Sequence, residues 1–318
     1  VRGGSRVSRG GGALGMTDLS VQLGRLRLPN PVMTAAGCVG YGLEYAPLVD
    51  WAQAGALVVK TITLTPRAGN PPPRVAETPA GMLHAIGLQN EGVETFVLEI
   101  LPRLRTLGTP LIVSIGGETV AEYRAVAGKL SQAEGIAALE VNLACPDTEE
   151  GHAEFGLSSE RTAQVIEAVR NATPLPLIAK LSPNGGDPVP IARAAVAAGA
   201  ESLCLINSPW GMAVDAHSQR FRLATPIGGL SGPAIKPIAL YHVWRVRQAM
   251  PETPLIGVGG ICSWEDAVEF MLVGASAVQV GTAHYMHPQA LMEILAGLRA
   301  YAESRQLERI EALVGALA

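Results

Sequence analysis

Eight short apolar segments alternate with eight amphipathic segments after residue 16, and this order constrains the fold more than any other feature. The apolar segments are continuous and rich in β-branched residues, which is typical of strands buried on both faces of a parallel sheet. They cover residues 32–35, 56–61, 111–115, 137–143, 177–181, 202–207, 255–258 and 277–281. The predicted helices cover residues 44–54, 91–106, 118–134, 159–172, 188–198, 233–250, 263–273 and 287–304. This strict alternation predicts an α/β fold, a (β/α)8 TIM barrel, more economically than a doubly wound sheet.

The remaining segments extend this repeat at its ends and between its elements. Residues 1–15 are rich in glycine and arginine and lack hydrophobic periodicity, so we predict a disordered leader there. Residues 16–318 contain no linker and are predicted to form one barrel domain, which begins with a hairpin at 21–28. The longer segments 62–90 and 208–232 interrupt the alternation, and we expect them to fold over the top of the barrel.

Charge and composition exclude several classes of protein. The 318 residues include 24 lysines and arginines and 28 aspartates and glutamates, and this formal net charge of −4 argues against nucleic-acid binding. No apolar run approaches the roughly 18 residues that span a bilayer, so no membrane partner is expected. The four cysteines are far apart, with no CxxC pair and no secretory signal, which predicts a cytoplasmic protein.

Two dipeptides that contain glycine, Gly259-Gly260 and Gly281-Thr282, end the last two predicted strands. They lie at the carboxyl ends of the strands, where barrel enzymes have their active sites. Glycine allows the backbone to approach phosphate oxygens, and many barrels bind phosphate at this place through backbone N–H groups. One such pair is explained as well by a simple turn, but two pairs together predict a phosphate site, with the Thr282 hydroxyl as a further donor.

Two lysines end apolar strands, Lys60 after the second strand and Lys180 after the fifth. A lysine in such a strand cannot remain unpaired without a large cost, so a functional role is predicted for each. Each is a candidate phosphate ligand, Schiff-base nucleophile or cation facing an electron-rich ring. Asn142 and Asn207 end two further strands, so several polar groups are predicted to converge on one rim.

Cys145 follows the fourth predicted strand on a polar loop, where a thiolate would act as a nucleophile or a proton acceptor. The other three cysteines are expected in the core. His284 and His287 have the spacing of a ligand pair, but no cysteine or carboxylate accompanies them at metal spacing, so no metal site is predicted.

Together these residues resemble the dihydroorotate dehydrogenases, and within them the class 1B catalytic subunits, over residues 17–310. The resemblance is carried by NPVMTAAG (30–37), VKTIT (59–63), NPPPR (70–74), IGLQN (86–90), EVNLACP (140–146) and GGLSGPAIKP (228–237). The last string is the most specific, and it indicates class 1B rather than the fumarate-linked class 1A. A cysteine base agrees, because the membrane-bound class 2 uses serine.

The resemblance implies FMN-dependent oxidation of dihydroorotate to orotate in de novo pyrimidine (UMP) biosynthesis. Cys145 would take the C5 proton while the hydride at C6 passes to flavin N5, and a lysine near the pyrimidine end of the flavin would stabilise its anionic reduced form. The implied FMN contacts are Ala36, Gly37, Lys60, Thr61, Ser114, Asn142, Lys180, Ile206, Gly232, Gly259, Gly260, Gly281 and Thr282. The implied substrate contacts are Lys60, His84, Ala85, Ile86, Gly87, Leu88, Asn142, Asp147, Asn207 and Ser208.

The resemblance also implies partners. If NAD is the final electron acceptor, a second subunit carrying FAD and a 2Fe-2S cluster is expected, because this chain has no CxxC cluster motif and no GxGxxG fingerprint that follows a predicted strand. A homodimeric core is typical of the family and is expected here.

Four positions depart from the family pattern. His84 and Asp147 stand where the family usually has asparagine, and Ala144 and Ser208 replace a usual serine and threonine. An ionised aspartate only accepts hydrogen bonds, and neutral imidazole offers one donor and one acceptor. We therefore predict weaker orotate binding than in a protein with both asparagines. Because protonated His84 would pair with the orotate carboxylate, binding is also predicted to weaken from about pH 6 to 8.

Three alternative functions remain open on the sequence. A dihydropyrimidine dehydrogenase-like flavoenzyme shares the Asn-x-x-Cys-Pro loop but usually continues with histidine. A non-redox barrel, such as an aldolase, would use Lys60 or Lys180 as a Schiff-base lysine. A catalytically silent paralogue would still bind FMN. A flavin spectrum separates the second from the others, and anaerobic bleaching by dihydroorotate separates the main prediction from the rest.

Overall fold

The computed structural model describes residues 17–144 and 154–317, and its strands follow the predicted order. In this part of the chain the strands are β1 (Val21–Leu23), β2 (Leu26–Leu28), β3 (Val32–Thr34), β4 (Leu57–Ile62), β5 (Val75–Thr78), β6 (Gly81–His84), β7 (Leu111–Ile115), β8 (Ala138–Asn142), β9 (Leu177–Lys180), β10 (Ser202–Leu205), β11 (Trp210–Gly211), β12 (Val214–Asp215), β13 (Arg220–Phe221), β14 (Gly228–Ser231), β15 (Leu255–Val258) and β16 (Ala277–Val280). All eight predicted barrel strands are present, within two residues of their predicted ends.

The eight parallel strands form one sheet in the order β3-β16-β15-β10-β9-β8-β7-β4, and a side chain completes its closure. Between β3 and β4, the Thr34 hydroxyl donates to the Val58 carbonyl at 3.1 Å and accepts from the Val58 amide at 2.8 Å. The Thr34 amide also donates to the Ala56 carbonyl at 3.3 Å. The predicted (β/α)8 barrel is therefore confirmed.

The helices follow the barrel strands along the chain. They are α1 (Gly92–Thr95), α2 (Leu101–Leu104), α3 (Val120–Ser131), α4 (Ser159–Arg170), α5 (Pro188–Ala197), α6 (Lys236–Ala249), α7 (Trp264–Leu272), α8 (Ala283–Met286) and α9 (Ala290–Ser304). A π-helical turn (Phe96–Ile100) joins α1 to α2, and 3-10 turns occupy Trp51–Gln53, Arg105–Leu107, Phe155–Leu157, Pro233–Ile235 and Ile310–Leu313. No helix among the described residues is long and apolar enough to cross a membrane.

The helix predicted over 44–54 is wrong. Only the 3-10 turn Trp51–Gln53 forms there, begun by Asp50, whose carboxylate accepts from the Ala52 amide at 3.2 Å. Pro47 lies in the middle of the predicted span, and proline removes a helical donor and disfavours helical geometry at the residue before it. The apolar spacing in this segment instead comes from contacts of a loop with the core.

The predicted hairpin, β1 and β2, turns at Gly24 and covers the amino ends of the barrel strands. Arg25 pairs there with Glu201, which precedes β10, at 2.6 Å, and donates to the Pro174 carbonyl before β9 at 3.0 Å. The two long segments form a four-stranded antiparallel sheet in the order β11-β14-β6-β5. This sheet contacts the residues that follow β10, so it covers the carboxyl ends of the strands as expected.

Candidate active site

Polar side chains at the carboxyl ends of β4, β7, β8 and β10 form one hydrogen-bonded network. The Thr61 hydroxyl lies 3.0 Å from that of Ser114, and the Asn142 amide donates to Thr61 at 3.4 Å. The Asn207 amide donates to Asn142 Oδ1 at 3.0 Å and to the Ala144 carbonyl at 2.6 Å. Asn142 and Asn207 were predicted to converge on the rim and do so, and the network also includes Thr61 and Ser114, two of the FMN contacts that the resemblance implies. Each has its orientation fixed by a neighbour.

Lys180 lies beside this network and is buried, with 6% of its surface exposed. Its ammonium is 3.5 Å from a carboxylate oxygen of Glu140, a residue of β8 that is wholly buried inside the barrel. Burial disfavours the charged lysine, but the combined attraction of its neighbours, with Glu140 the largest, raises the pKa of Lys180 above its ordinary value. The charged form of this buried lysine is therefore favoured.

Lys60, on β4, is the second cation of the rim and is more exposed. Its ammonium lies 3.3 Å from Glu91 and 4.5 Å from the centre of the Tyr41 ring, where the cation faces the negative π surface. The Tyr41 hydroxyl donates to the same carboxylate of Glu91. This arrangement fixes Lys60 across the rim from Lys180 and leaves its charge partly accessible.

His84 ends β6 in the covering sheet and reaches the rim from above. Its Nε2 lies 3.0 Å from the Ser208 hydroxyl, and Gly229 of β14 leaves the room for this contact. A Cβ at Gly229 would lie 2.6 Å from the Ser208 Cβ and 2.9 Å from the His84 ring. Burial, and to a smaller degree the charge of Lys180, lowers the pKa of His84 to about 4. Orotate binding was expected to weaken from about pH 6 to 8 as His84 loses its proton. The lowered pKa contradicts this expectation, because the neutral imidazole is the favoured form across that range.

The segment between β6 and α1 brings further predicted contacts to this side of the rim. The Asn70 amide donates to the Ala85 carbonyl at 3.1 Å, and the Ile86 carbonyl accepts from the Asn70 backbone amide at 2.9 Å. Gly87 and Leu88 both have positive φ angles, of 76° and 54°. A Cβ at Gly116 would lie 2.8 Å from the Thr61 methyl group and 3.6 Å from Leu88 Cδ1. The turn therefore brings the Leu88 side chain close to Thr61 and Gly116.

The predicted phosphate-binding glycines come together beyond β14, β15 and β16. Gly232, Gly259 and Gly260 have φ angles of 96°, 131° and 75°, which L side chains rarely adopt. A Cβ at Gly260 would lie 2.9 Å from the Gly232 carbonyl, and one at Gly232 would lie 3.6 Å from the Thr282 methyl. We call these residues, with Gly281 and Thr282, the glycine cradle, and the side chains of Ile235, Lys236 and Ala239 pack close against it.

The remaining predicted contacts lie around this cradle. A Cβ at Gly281 would be 3.1 Å from the sulfur of Cys38 and 3.3 Å from the Cβ of Ala35, next to Ala36. Gly37 has a φ of 82°, and a Cβ there would meet no described atom within 4 Å. Ile206 is buried, and its amide donates to the Val258 carbonyl at 3.0 Å. Gly37 thus borders open space between the cradle and the rim network.

Two predicted site residues, Cys145 and Asp147, lie outside the described residues. The chain is described up to Ala144, whose amide donates to Asn142 Oδ1 at 3.2 Å, and again from Glu154. The Glu154 carboxylate accepts from the Trp210 indole at 2.9 Å. Of the three cysteines expected in the core, Cys204 is buried, and Cys38 and Cys262 are half-buried. Residues 17–144 and 154–317 contain no group of three or more His, Cys, Asp or Glu side chains placed to hold a metal ion.

The family model for dihydroorotate dehydrogenase matches residues 18–301, which include every described residue of the site. The chain belongs to the dihydroorotate dehydrogenase family. A relative from Desulforudis audaxviator, described as the catalytic subunit of dihydroorotate dehydrogenase B (NAD(+)), is 53% identical over 297 residues, covering 93% of this chain and 96% of the relative. Relatives with the same description from Geotalea daltonii and Bacteroides thetaiotaomicron are 50% identical over 300 residues and 47% identical over 302. They cover 94% and 95% of this chain, and 98% and 99% of the relatives.

Within this dihydroorotate dehydrogenase fold, sequence reasoning missed the residues beneath and beside the predicted contacts. Glu140 and Gln279 face the barrel interior, and Glu91 and Tyr41 hold Lys60. The sequence does single out Glu140 and Gln279, because each is a polar residue flanked by apolar ones in a predicted strand, Glu140 by Leu139 and Val141 and Gln279 by two valines. A polar side chain in the middle of a buried strand requires a partner. The sequence could not show which partner.

Proposed function

We propose that this chain is the catalytic subunit of an NAD-linked dihydroorotate dehydrogenase, which oxidises dihydroorotate to orotate in pyrimidine biosynthesis. The observation that carries the proposal is the buried cation Lys180 beside the linked asparagines Asn142 and Asn207, all at the rim next to the glycine cradle. Such a site offers dense hydrogen bonding to a planar, carboxylate-bearing ring. The names of relatives at about half identity support the same activity.

The residues fit FMN as the resident cofactor. The glycine cradle would offer backbone N–H groups and the Thr282 hydroxyl to the phosphate, which we propose lies at Gly232, Gly259, Gly260 and Gly281. The ring system would lie against Ala36 and Gly37, and the open space at Gly37, where no described atom would meet a Cβ, supports this proposal. Lys60, Thr61, Ser114, Asn142, Lys180 and Ile206 would surround the ring. When bound, FMN accepts the two electrons that dihydroorotate loses.

The chain's own groups would bind the substrate and move its proton. Asn142, Asn207 and Ser208 present amide and hydroxyl groups, and Lys60 supplies a cation for the carboxylate. Neutral His84 and the segment 85–88 would close the pocket from the covering sheet, and Asp147 is a further proposed contact. Cys145 is proposed as the base that takes the C5 proton, because it follows directly on Ala144, whose carbonyl and amide are held by Asn207 and Asn142.

The electrons are proposed to leave through a second subunit that carries FAD and a 2Fe-2S cluster and reduces NAD. The phrase "catalytic subunit" and the acceptor NAD(+) in the names of relatives support this assignment. We also propose a homodimeric core and a cytoplasmic location. We expect the isolated chain to reduce an artificial acceptor with dihydroorotate and to reduce NAD poorly. Fast NAD reduction by the isolated chain would contradict the second subunit.

The decisive experiment is anaerobic addition of dihydroorotate to the purified chain loaded with FMN. Loss of the yellow absorbance, with one orotate formed for each flavin, is the expected result. A colourless protein that binds no flavin would favour the Schiff-base alternative. A flavin that is bleached by a dihydropyrimidine but not by dihydroorotate would favour the dihydropyrimidine dehydrogenase alternative, and one bleached by neither would indicate a silent paralogue.

A further inference from the structure

Beneath the proposed flavin site, three polar side chains form a chain inside the barrel. Glu140 of β8 accepts from the Gln279 amide of β16 at 2.6 Å, and the Gln279 carbonyl accepts from the Cys204 thiol of β10 at 3.5 Å. All three residues are wholly buried. None of them was among the predicted cofactor or substrate contacts, and the proposed reaction does not use them directly.

The two oxygens of Glu140 have different surroundings. One is held by Gln279, whereas Oε1 has no hydrogen-bond partner among the described residues and faces the Lys180 ammonium at 3.5 Å. A buried carboxylate oxygen without a hydrogen bond is costly, and a fully buried ion pair is often no more stable than apolar side chains of similar size. Stability of the fold therefore does not account for this pair. A requirement for a charged lysine does.

We propose that Glu140, held in place by Gln279, is a positioning residue that keeps Lys180 charged and directed at the flavin before substrate arrives. This inference rests on the proposed function for its role in catalysis. The charge itself follows from the contacts, because a lysine buried without a counter-ion loses its proton near neutral pH. Glu140 supplies that counter-ion from below, so the upper side of the ammonium stays available to the cofactor.

The other titratable groups that face Lys180 among the described residues do not replace Glu140. These groups are the thiols of Cys38 and Cys204 and the imidazole of His84. Burial raises the pKa of both thiols, to about 11 for Cys38, and burial lowers the pKa of His84. These shifts disfavour the charged forms of all three groups near neutral pH, so among the described residues Glu140 is the carboxylate that faces Lys180.

A charged lysine changes how many protons accompany the electrons. With Lys180 already protonated, reduction of FMN takes two electrons and one proton, and the lysine balances the negative charge of the reduced flavin. With a neutral Lys180, the same two electrons are accompanied by two protons. The second proton goes either to Lys180, which becomes charged, or to the reduced flavin, which becomes neutral. Glu140 therefore decides the proton count of the reduction, which is measurable without dihydroorotate.

The test begins with the charge of Lys180 in the full chain. The chain has only four lysines, Lys60, Lys129, Lys180 and Lys236, so side-chain carbon-13 NMR of labelled lysine gives four resolvable signals. The signal missing in Lys180→Arg identifies Lys180. In the wild type this signal should keep the chemical shift of a charged lysine up to pH 10. In Glu140→Gln the lysine should titrate at about pH 6 or below, as buried lysines without a counter-ion do. A wild-type midpoint below the ordinary lysine value would overturn the proposal even if the variant does not fold.

The second measurement follows the FMN-loaded chain by a dye-mediated titration with dithionite between pH 6 and 8. One proton for every two electrons is expected in the wild type and two in Glu140→Gln, with Glu140→Asp returning towards one. Glu201→Gln is the matched control, because it breaks the ion pairs with Arg25 and Arg170 at the opposite end of the barrel and should leave the count at one. An unchanged count in Glu140→Gln would overturn the proposal while leaving the proposed function intact. Failure of dihydroorotate to bleach the wild type would instead refute the function, and the lysine titration would still stand.

Discussion

Two glycines allow a direct test of where the flavin ring lies. Gly37 and Gly186 have almost the same backbone angle, with φ values of 82° and 81°, and a Cβ at either position would meet no described atom within 4 Å. Both are exposed, but only Gly37 lies at the proposed flavin site. Alanine at either position therefore imposes the same left-handed strain of about 1–2 kcal/mol without a clash in the protein.

The expected results differ only when FMN is present. Without FMN, Gly37→Ala and Gly186→Ala should lower the free energy of unfolding by similar amounts. With FMN, the methyl group at residue 37 should press on the ring, and overpacking of this kind costs about 1–3 kcal/mol, or roughly 5- to 150-fold in the dissociation constant. The affinity of Gly186→Ala should match that of the wild type.

The assay is titration of FMN fluorescence, which falls when the flavin is bound, together with thermal unfolding of both variants in the absence of FMN. Equal FMN affinities for the two variants, with equal losses of stability, would show that the ring does not lie against Gly37. A much larger loss of stability in Gly37→Ala alone would show that the strain argument itself is wrong.

Three further predictions concern the base, the barrel closure and the covering sheet. Cys145→Ala should bind FMN normally but slow flavin reduction by dihydroorotate at least ~10²-fold in stopped-flow measurements, and unchanged kinetics would exclude it as the base. Thr34→Val should lower the free energy of urea unfolding by about 2 kcal/mol, because the Val58 amide and carbonyl lose their partner, whereas Thr34→Ser, which keeps the hydroxyl, should lose clearly less. The pKa of His84 falls from about 6.5 in the unfolded chain to about 4 in the folded one, so the unfolded chain binds the extra proton between these values. The free energy of unfolding should therefore decrease by up to about 3 kcal/mol as the pH falls from 6.5 to 4. Denaturant unfolding across that range should show a smaller decrease for His84→Asn than for the wild type. The same dependence on pH in both proteins would contradict the prediction.

The barrel could be predicted because its pattern is local. Apolar strands such as 111–115 and 255–258 are found at the predicted bounds, because burial on both faces favours a nearly continuous run of apolar residues. The segment 44–54 failed because apolar spacing alone does not separate a helix from a loop that packs on the core. There Pro47 and the Asp50 cap decided the backbone, and both are visible in the sequence.

The order of the strands also placed the site, because parallel strands bring their carboxyl ends to one rim. Residues as far apart as Lys60, Asn142 and Asn207 could thus be grouped from strand order alone. The counter-ions of the lysines could not be predicted in the same way. Glu91 pairs with Lys60, and Glu140 pairs with Lys180, from other elements of the fold. The choice between several possible counter-ions depends on distances of a few ångströms.

The sequence by itself determined the barrel, the rim and the residue types that line it, because hydrophobic period and strand order are properties of the chain. Tertiary structure alone decided the charge states. A free histidine titrates near pH 6.5, but burial beneath the covering sheet lowers the pKa of His84 to about 4. A buried lysine alone would be neutral, but Glu140, which lies on a different strand of the barrel, raises the pKa of Lys180. Protonation depends on solvent exclusion and on the distance to the nearest charge, and both exist only once the chain has folded.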